Sequence, residues 1–266
     1  MRSLALHDES RRSDRGLHSL VARSQPVALC GGCGLDNTAA GYNALFTNGT
    51  GNGNSAFGSH ALEYNTYGGS NTAVGSYVMQ FLTTGQYNTA IGNFALHVAT
   101  TSFANTAVGT SAMASTTSSY NTAVGYQALY RNTTGADNSA FGDGALQANV
   151  TGEQNTAAGA YSLFSNSSGS YNSASGFEAL YSSTTASDNV AAGYHSLAFT
   201  TTGHDNTATG FRSLQANTIG TTNTAVGSDA LYTNTTGSNN IALGANAGYS
   251  VTGSNNIDIG SMGVAG

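Results

Sequence analysis

The chain has 266 residues and a formal net charge of −6; only 8% of its residues are charged, against roughly 25% in ordinary globular proteins. It contains 35 glycines, one proline and no tryptophan. Beyond residue 35 only Arg131 and Arg212 oppose ten carboxylates, too little positive charge to neutralise a run of phosphates. No stretch approaches the ~20 apolar residues of a membrane helix, so we expect neither a nucleic-acid partner nor membrane insertion.

Residues 1–35 form a first segment with its own composition. It holds five of the seven arginines, interleaved with three acidic residues, and shows no clear secretion signal. Leu17, Leu20 and Val21 stand at helical spacing, which predicts either a cap on the following domain or a solvated tail. We therefore divide the chain into this Arg-rich segment, 1–35, and a repeat domain, 36–266.

Cys30-Gly31-Gly32-Cys33 is the one compact constellation in the first segment. A lone Cys-x-x-Cys is half of a zinc knuckle, and also suits a redox pair or an interchain disulfide. A thioredoxin-type redox role needs a βαβ setting, which this sequence lacks. We favour a structural or incidental role and keep Cys30 and Cys33 as weak metal candidates; no other metal and no cofactor is expected.

The repeat domain is built on a recurring Asn-x-Ala-x-Gly. Taking Asn as position 1, Gly stands at position 5 in every unit, and successive Asn lie 17 residues apart except for two 16-residue steps. The Asn register is Asn37, Asn54, Asn71, Asn88, Asn105, Asn121, Asn138, Asn155, Asn172, Asn189, Asn206, Asn223, Asn240 and Asn256. A fixed period in this range is the signature of a repeat stack in which each unit is stabilised by its neighbours.

The columns of the repeat predict an all-β fold, a parallel β-solenoid (β-roll) of about 14 coils and roughly 65 Å. Positions 2–4 alternate like a short strand, with Ala at position 3 and Leu or Met at position 9 inside. Stacked Asn side chains would form a hydrogen-bonded ladder, and Gly at positions 5 and 15 would adopt positive φ at two corners. The residues expected to carry these columns are Asn71, Asn88, Asn121, Asn138, Ala73, Ala123, Gly75, Gly125, Leu96, Leu129 and Leu146.

The second arm of each coil is less determined by its sequence. In Gly125-Tyr-Gln-Ala-Leu-Tyr130 the spacing of Tyr126, Leu129 and Tyr130 also suits a single helical turn. We favour a second strand, with positions 6, 7 and 10 facing outward. On this reading Leu129 is buried between Met113 and Leu146.

The segment Tyr120-Asn-Thr-Ala-Val-Gly-Tyr-Gln-Ala-Leu-Tyr-Arg-Asn-Thr-Thr-Gly135 resembles the repeat of Gly/Asn/Thr-rich adhesin-like and phage tail-fibre-like proteins. That repeat is similar to the head of trimeric autotransporter adhesins, built on Asn-Ser/Thr-x-Ala-x-Gly. The resemblance covers residues 36–266 and implies a β-roll in each of three chains. The unit here is longer, with Ala one place nearer the Asn, and the sequence shows neither a coiled-coil stalk nor a C-terminal membrane barrel. Asn256-Ile-Asp-Ile-Gly260 resembles a point at which such chains continue, which suggests a fragment of a longer protein.

No catalytic constellation is recognisable in the sequence. His60 and His195 share position 7 but lie eight coils apart, roughly 38 Å, and cannot form one site. We find no acid pair, nucleophile elbow or His-carboxylate metal spacing, so we expect no enzyme activity. Five Asn-x-Ser/Thr sites fall in one column and would decorate one edge if glycosylated: Asn48, Asn132, Asn149, Asn166 and Asn234.

These observations favour a non-enzymatic structural or adhesive fibre segment, an adhesin head or tail-fibre-like shaft. We expect it to be extracellular or surface-exposed, with a virion fibre as one location, and to form a homotrimer that contacts a host surface or a polysaccharide. One alternative is a subunit that polymerises end to end through open sheet edges. A minor alternative is recognition of ice or polysaccharide by the Thr or Ser at position 2.

Overall fold

The structure, a computed structural model, describes residues 34–260. It is an all-β parallel solenoid of about 13 turns with a roughly 17-residue repeat, and no helix occurs in the described residues. The predicted fold class is therefore confirmed. One three-residue strand per coil joins a single sheet in chain order. The strands are β1 (Thr38–Ala40), β2 (Ser55–Phe57), β3 (Thr72–Val74), β4 (Thr89–Ile91), β5 (Thr106–Val108), β6 (Thr122–Val124), β7 (Ser139–Phe141), β8 (Thr156–Ala158), β9 (Ser173–Ser175), β10 (Val190–Ala192), β11 (Thr207–Thr209), β12 (Thr224–Val226), β13 (Ile241–Leu243) and β14 (Ile257–Ile259).

Each strand pairs with the next without any shift in register. Ala73 of β3 lies opposite Ala90 of β4, and the pairing of β5 with β6 continues in register across a 16-residue step. In that coil Asn105 donates its amide to Ser118 O at 2.9 Å, as Asn88 donates to Ser102 O. The shorter coil therefore lacks one residue between Asn105 and Ser118, and its strand and its other positions stay aligned with those of the neighbouring coils.

The core consists of files of identical residues, one per coil. The Asn of position 1, the Ala of position 3 and the Leu or Met of position 9 are buried along the stack, and Leu129 shares one cluster with Met113 and Leu146. Position 8, filled mostly by Ala and Ser, forms another buried file that we did not predict, exemplified by Ala128. Because each file is shared between coils, no single coil has a core of its own.

The corners differ partly from the sequence-based expectation. Gly75 and Gly125 at position 5 do adopt positive φ, 132° and 142°, and a Cβ on Gly75 would lie 2.8 Å from Gly92 O. At position 15, however, Gly135 does not have positive φ, so that expectation was wrong. The residue there is small because a Cβ would lie 2.6 Å from the Oδ1 of Asn132. The positive φ falls at position 17 instead, as at Tyr120.

The second arm is a chain of turns, so our preference for a second strand was wrong, and so was the helical alternative. Gln127 and Leu129, at positions 7 and 9, adopt left-handed φ of 53° and 51°. Leu129 N donates to Ala145 O of the next coil at 3.0 Å, as a strand residue would, although its dihedral angles are not those of a strand. Burial and inter-coil hydrogen bonds offset the cost of this conformation.

Candidate functional site

The Asn of position 1 forms a continuous ladder inside the solenoid. Asn88 donates its amide to Asn71 Oδ1 at 3.0 Å and to Ser102 O at 2.9 Å, and its own Oδ1 accepts the backbone N–H of Asn105 at 3.0 Å. Asn121 likewise accepts the N–H of Asn138. Each side chain therefore hydrogen-bonds a backbone carbonyl of its own coil and a backbone N–H of the next coil, which is a structural role.

A second ladder at position 12 was missed in the sequence. Asn149 donates to Asn132 Oδ1 at 2.8 Å, Asn166 donates to Asn149 Oδ1 at 2.9 Å, and both also donate to the Gly carbonyl three residues on. The signal was a coupling between two columns. In all seven coils with Asn at position 12 position 15 is Gly, whereas the three coils without that Gly have Ala99, Thr116 or Ser183 at position 12.

The same burial overturns the glycosylation expectation. The five acceptor residues, Asn48, Asn132, Asn149, Asn166 and Asn234, all lie in this position-12 file and are buried. An enzyme could not reach these nitrogens in the folded chain. The Asn-x-Ser/Thr pattern arises here because the ladder Asn at position 12 is followed two residues later by a Ser or Thr at position 14.

The outward face of the sheet is regular and largely uncharged. Position 4 is a half-exposed apolar file, with Phe57, Val74, Ile91 and Phe141 among its members. Position 2 beside it is a file of Thr and Ser that is likewise accessible, as the burial pattern of β3 shows. The sheet thus displays alternating rows of hydroxyl and apolar groups about 4.8 Å apart.

Two hydroxyl files with different hydrogen bonding run along the solenoid. At position 13, Thr133 donates its Oγ1 to Val150 O at 3.0 Å, and Thr184 donates to Thr201 O at the same distance. At position 2, Thr72 and Thr122 make no side-chain hydrogen bond within residues 34–260. The position-2 file therefore has free hydroxyls to offer to a ligand or to water, and so does position 14, where Thr134 and Thr151 are exposed and make no side-chain hydrogen bond within the described residues.

A polar network surrounds Glu63 on the opposite arm. His60 Nδ1 lies 2.8 Å from one carboxylate oxygen of Glu63, Gln80 donates to that oxygen at 2.7 Å, and Asn43 donates to the other at 3.2 Å. Desolvation by burial raises the pKa of the Glu63 carboxyl, but the hydrogen bonds from Gln80, His60 and Asn43 and the charge of His60 outweigh it. The pKa of Glu63 is therefore lowered.

The other ionic contacts of the described chain are also local pairs between neighbours. His195 Nε2 lies 2.7 Å from Glu178, and Arg212 contacts Asp229 at 2.8 Å while its guanidinium stacks on Phe211. His195 and His60 belong to separate networks. The groups of each network bind one another.

Residues 34–260 contain no group of three or more His, Cys, Asp and Glu placed to hold a metal ion, and no helix long and apolar enough to cross a bilayer. Cys30 and Cys33, our weak metal candidates, lie outside the described residues, as does most of the Arg-rich segment. The surfaces that stand out are therefore the outward files of the solenoid.

No protein-family model, curated protein or solved structure matches the chain. What the fold does define is a class: a β-solenoid repeat protein whose coils carry one strand and one turn-rich arm.

Proposed function

We propose that the chain is a non-enzymatic, extracellular structural or adhesive fibre segment. The observation that carries this proposal is the unbroken register of all fourteen strands. Thirteen steps of about 4.8 Å make a rod of roughly 60 Å, stiffened by ladders and buried files along its whole length. Such a body suits a shaft or a head that displays a long surface.

The apolar position-4 file supports a homotrimer as the assembly. Three residues of about 3.3 Å across and thirteen steps of about 4.8 Å along give each chain a flat face of roughly 600 Å². Standard interfaces bury about 800 Å² per partner, so this face would supply roughly three quarters of one such contact and its margins the rest. Half-exposed Phe57, Phe141 and Val124 would be covered there.

Sedimentation equilibrium tests the trimer. We expect a mass of three chains, reduced toward one chain in a variant with Phe57→Ser, Val124→Ser and Phe141→Ser, since Ser175 already occupies this position. Matched changes on the other arm, Phe94→Ser and Phe164→Ser, should leave the mass unchanged. A monomer at high concentration would refute the trimer. Electron micrographs that show particles of another shape than rods would refute the fibre.

End-to-end polymerisation is a second candidate, favoured by one observation. Ile257 and Ile259 of β14 are 72% exposed, and β14 pairs with β13 alone within the described residues. A flat, apolar strand edge is a template for another chain, and a contact that does not close gives a filament. Negative-stain images should show filaments that Ile257→Lys with Ile259→Lys abolishes; single rods at every concentration would reject this candidate.

The free hydroxyls of position 2 favour a minor candidate, surface recognition of ice. A regular array of Thr hydroxyls beside apolar groups could order water, as Thr72 with Val74 illustrates. Thermal hysteresis above that of buffer, lost on replacing Thr72, Thr89 and Thr106 with Val, is the expected result. Hysteresis equal to buffer removes ice from consideration.

A further inference from the structure

Position 17 forms an exposed file on eight consecutive coils, about 34 Å long. We call it the tyrosine file, and along the stack it reads Tyr87, Ala104, Tyr120, Asp137, Gln154, Tyr171, Asp188 and Asp205. All eight residues are exposed. The file lies two residues before the free hydroxyls of position 2, at the margin of the sheet.

The three tyrosines of the file have free ring faces. Tyr87, Tyr120 and Tyr171 are 65%, 61% and 54% exposed, and none makes a ring contact within residues 34–260. Tyrosines elsewhere behave differently: Tyr77 stacks on His60 at 4.8 Å and on Phe94 at 5.1 Å, which covers both its faces. Only unstacked rings leave a face to which a ligand could bind.

The backbone at these tyrosines is left-handed, and its cost is offset by inter-coil hydrogen bonds but not by burial or stacking of the side chain. They adopt φ of 59°, 63° and 60°, a region that bulky residues rarely occupy. At position 9 the same conformation is offset by complete burial of Leu, and at Tyr77 it is offset by stacking. Position 17 offers neither, although Ser70 and Asp137 show that small polar residues suffice there. The same φ recurs at Ala104 and Gln154, so the conformation belongs to the solenoid and does not itself require a tyrosine side chain.

The file is also tied to the stack by backbone hydrogen bonds and supplied with unused polar groups. Tyr120 N donates to Phe103 O at 3.0 Å and Tyr171 N donates to Glu153 O at 3.1 Å, so the coil before fixes each backbone. The side chains of Asp137 and Gln154 make no hydrogen bond within the described chain. The file contains three carboxylates and neither Lys nor Arg, which disfavours a polyanionic ligand.

We propose that the tyrosine file binds an extended, neutral polysaccharide. A pyranose ring presents a C–H face that packs on an aromatic ring and hydroxyls that suit carboxylate, amide and Thr groups. One sugar in an extended chain is close in length to one coil rise, so tyrosines two and three coils apart would contact different sugars of one chain. This inference rests on the proposed fibre, since it assigns the ligand class that the fibre surface recognises.

Affinity electrophoresis of the full chain tests the site, with hydroxyethylcellulose, galactomannan or heparin cast into native gels. We expect retardation by at least one neutral polysaccharide and none by heparin. Changing Tyr87, Tyr120 and Tyr171 together to Ser should raise Kd about tenfold or more, equivalent to about 1.4 kcal/mol. The control changes Tyr67 and Tyr126 to Ser, since these tyrosines are equally exposed and unstacked but lie outside the file.

The outcomes separate this inference from the fibre. A control variant that loses binding as much as the triple variant, a triple variant that binds normally, or retardation by heparin alone would overturn the tyrosine file as the site. Rods and trimers that no neutral polysaccharide retards would overturn the glycan inference and leave the fibre standing. Circular dichroism of each variant, compared with the parent, shows that lost binding reflects the site and not unfolding.

Discussion

The coupling between positions 12 and 15 gives a quantitative test of how the solenoid is held together. The coil of β9 has Ser183 and Ala186 where most coils have Asn and Gly. The Oδ1 of Asn166 and the Oγ of Ser183 are consequently buried without a hydrogen-bond partner. Replacing Ser183 with Asn would supply the missing donor, and replacing Ala186 with Gly would supply the space for it.

The expected free energies follow from the neighbouring coils. A Cβ on Gly152 would lie 2.5 Å from Asn149 Oδ1, so Ser183→Asn alone should collide with Ala186 and lose roughly 1–3 kcal/mol by overpacking. Ala186→Gly alone should lose about 0.5–1 kcal/mol through backbone entropy. Together they satisfy Asn166 Oδ1, whose unpaired burial costs about 1–3 kcal/mol, so the double variant should equal or exceed the parent.

Chemical unfolding followed by circular dichroism measures the three variants and their coupling. We expect a favourable coupling of roughly 2–3 kcal/mol, well above the ~0.5 kcal/mol scatter of independent sites. Thr200→Asn is the matched control: Gly203 already stands three residues on, so this change alone should be tolerated. Additive effects in the double variant, or a Thr200→Asn variant as damaged as Ser183→Asn, would refute the reasoning.

Three further predictions follow from the core, the Glu63 network and the last strand. Leu129→Asp buries an unpaired carboxylate, so it should cost several kcal/mol of stability and split the rod into two weaker halves. Gln127→Asp loses one hydrogen bond and should cost only about 1 kcal/mol. Equal melting temperatures of the two variants would reject our assignment of inside and outside. Because the folded pKa of Glu63 is lowered, its contribution is complete above the unfolded pKa of about 4.3 and lost as pH falls through the folded value. When the free energy of unfolding is plotted against pH, its slope below that pH should therefore be smaller in Glu63→Gln than in the parent. Identical slopes would contradict this prediction. Asp258 accepts the N–H of Gly248 at 2.9 Å, so Asp258→Ala should cost about 1–3 kcal/mol and Asp258→Asn less, with hydrogen exchange of Gly248 as the readout.

The stack was predictable because stacking repeats one environment in every coil. A residue that must be Asn in one coil must be Asn in the next, so the columns at positions 1, 3, 5 and 9 stand out in a single sequence. The position-12 ladder was less visible because Leu82, Ala99 and Val251 interrupt it. Its clearest sign was the dependence of one column on another, not the composition of either.

The second arm could not be predicted from local preferences. Left-handed φ is associated with Gly and Asn, yet Leu129 and Gln127 adopt it because the stack buries one and hydrogen-bonds the other. The helical spacing of Tyr126, Leu129 and Tyr130 was misleading for the same reason. Tertiary contacts between coils override the dihedral preference of each residue, and those contacts are invisible within one unit.

The low charge of the chain is itself a consequence of register. Like charges stacked about 4.8 Å apart repel by about 1 kcal/mol in water and by several times more near a protein surface, so a charged column accumulates cost with every coil. Amide and hydroxyl side chains avoid this cost because each can donate to one neighbour and accept from the other. Some charges in the arms face an opposite charge one coil away, as Arg212 faces Asp229. Asp188 and Asp205 are stacked like charges at the exposed tyrosine file. With Asp137 they leave a surface without positive charge, whose carboxylate, amide and aromatic groups are suited to a neutral, hydroxyl-rich partner.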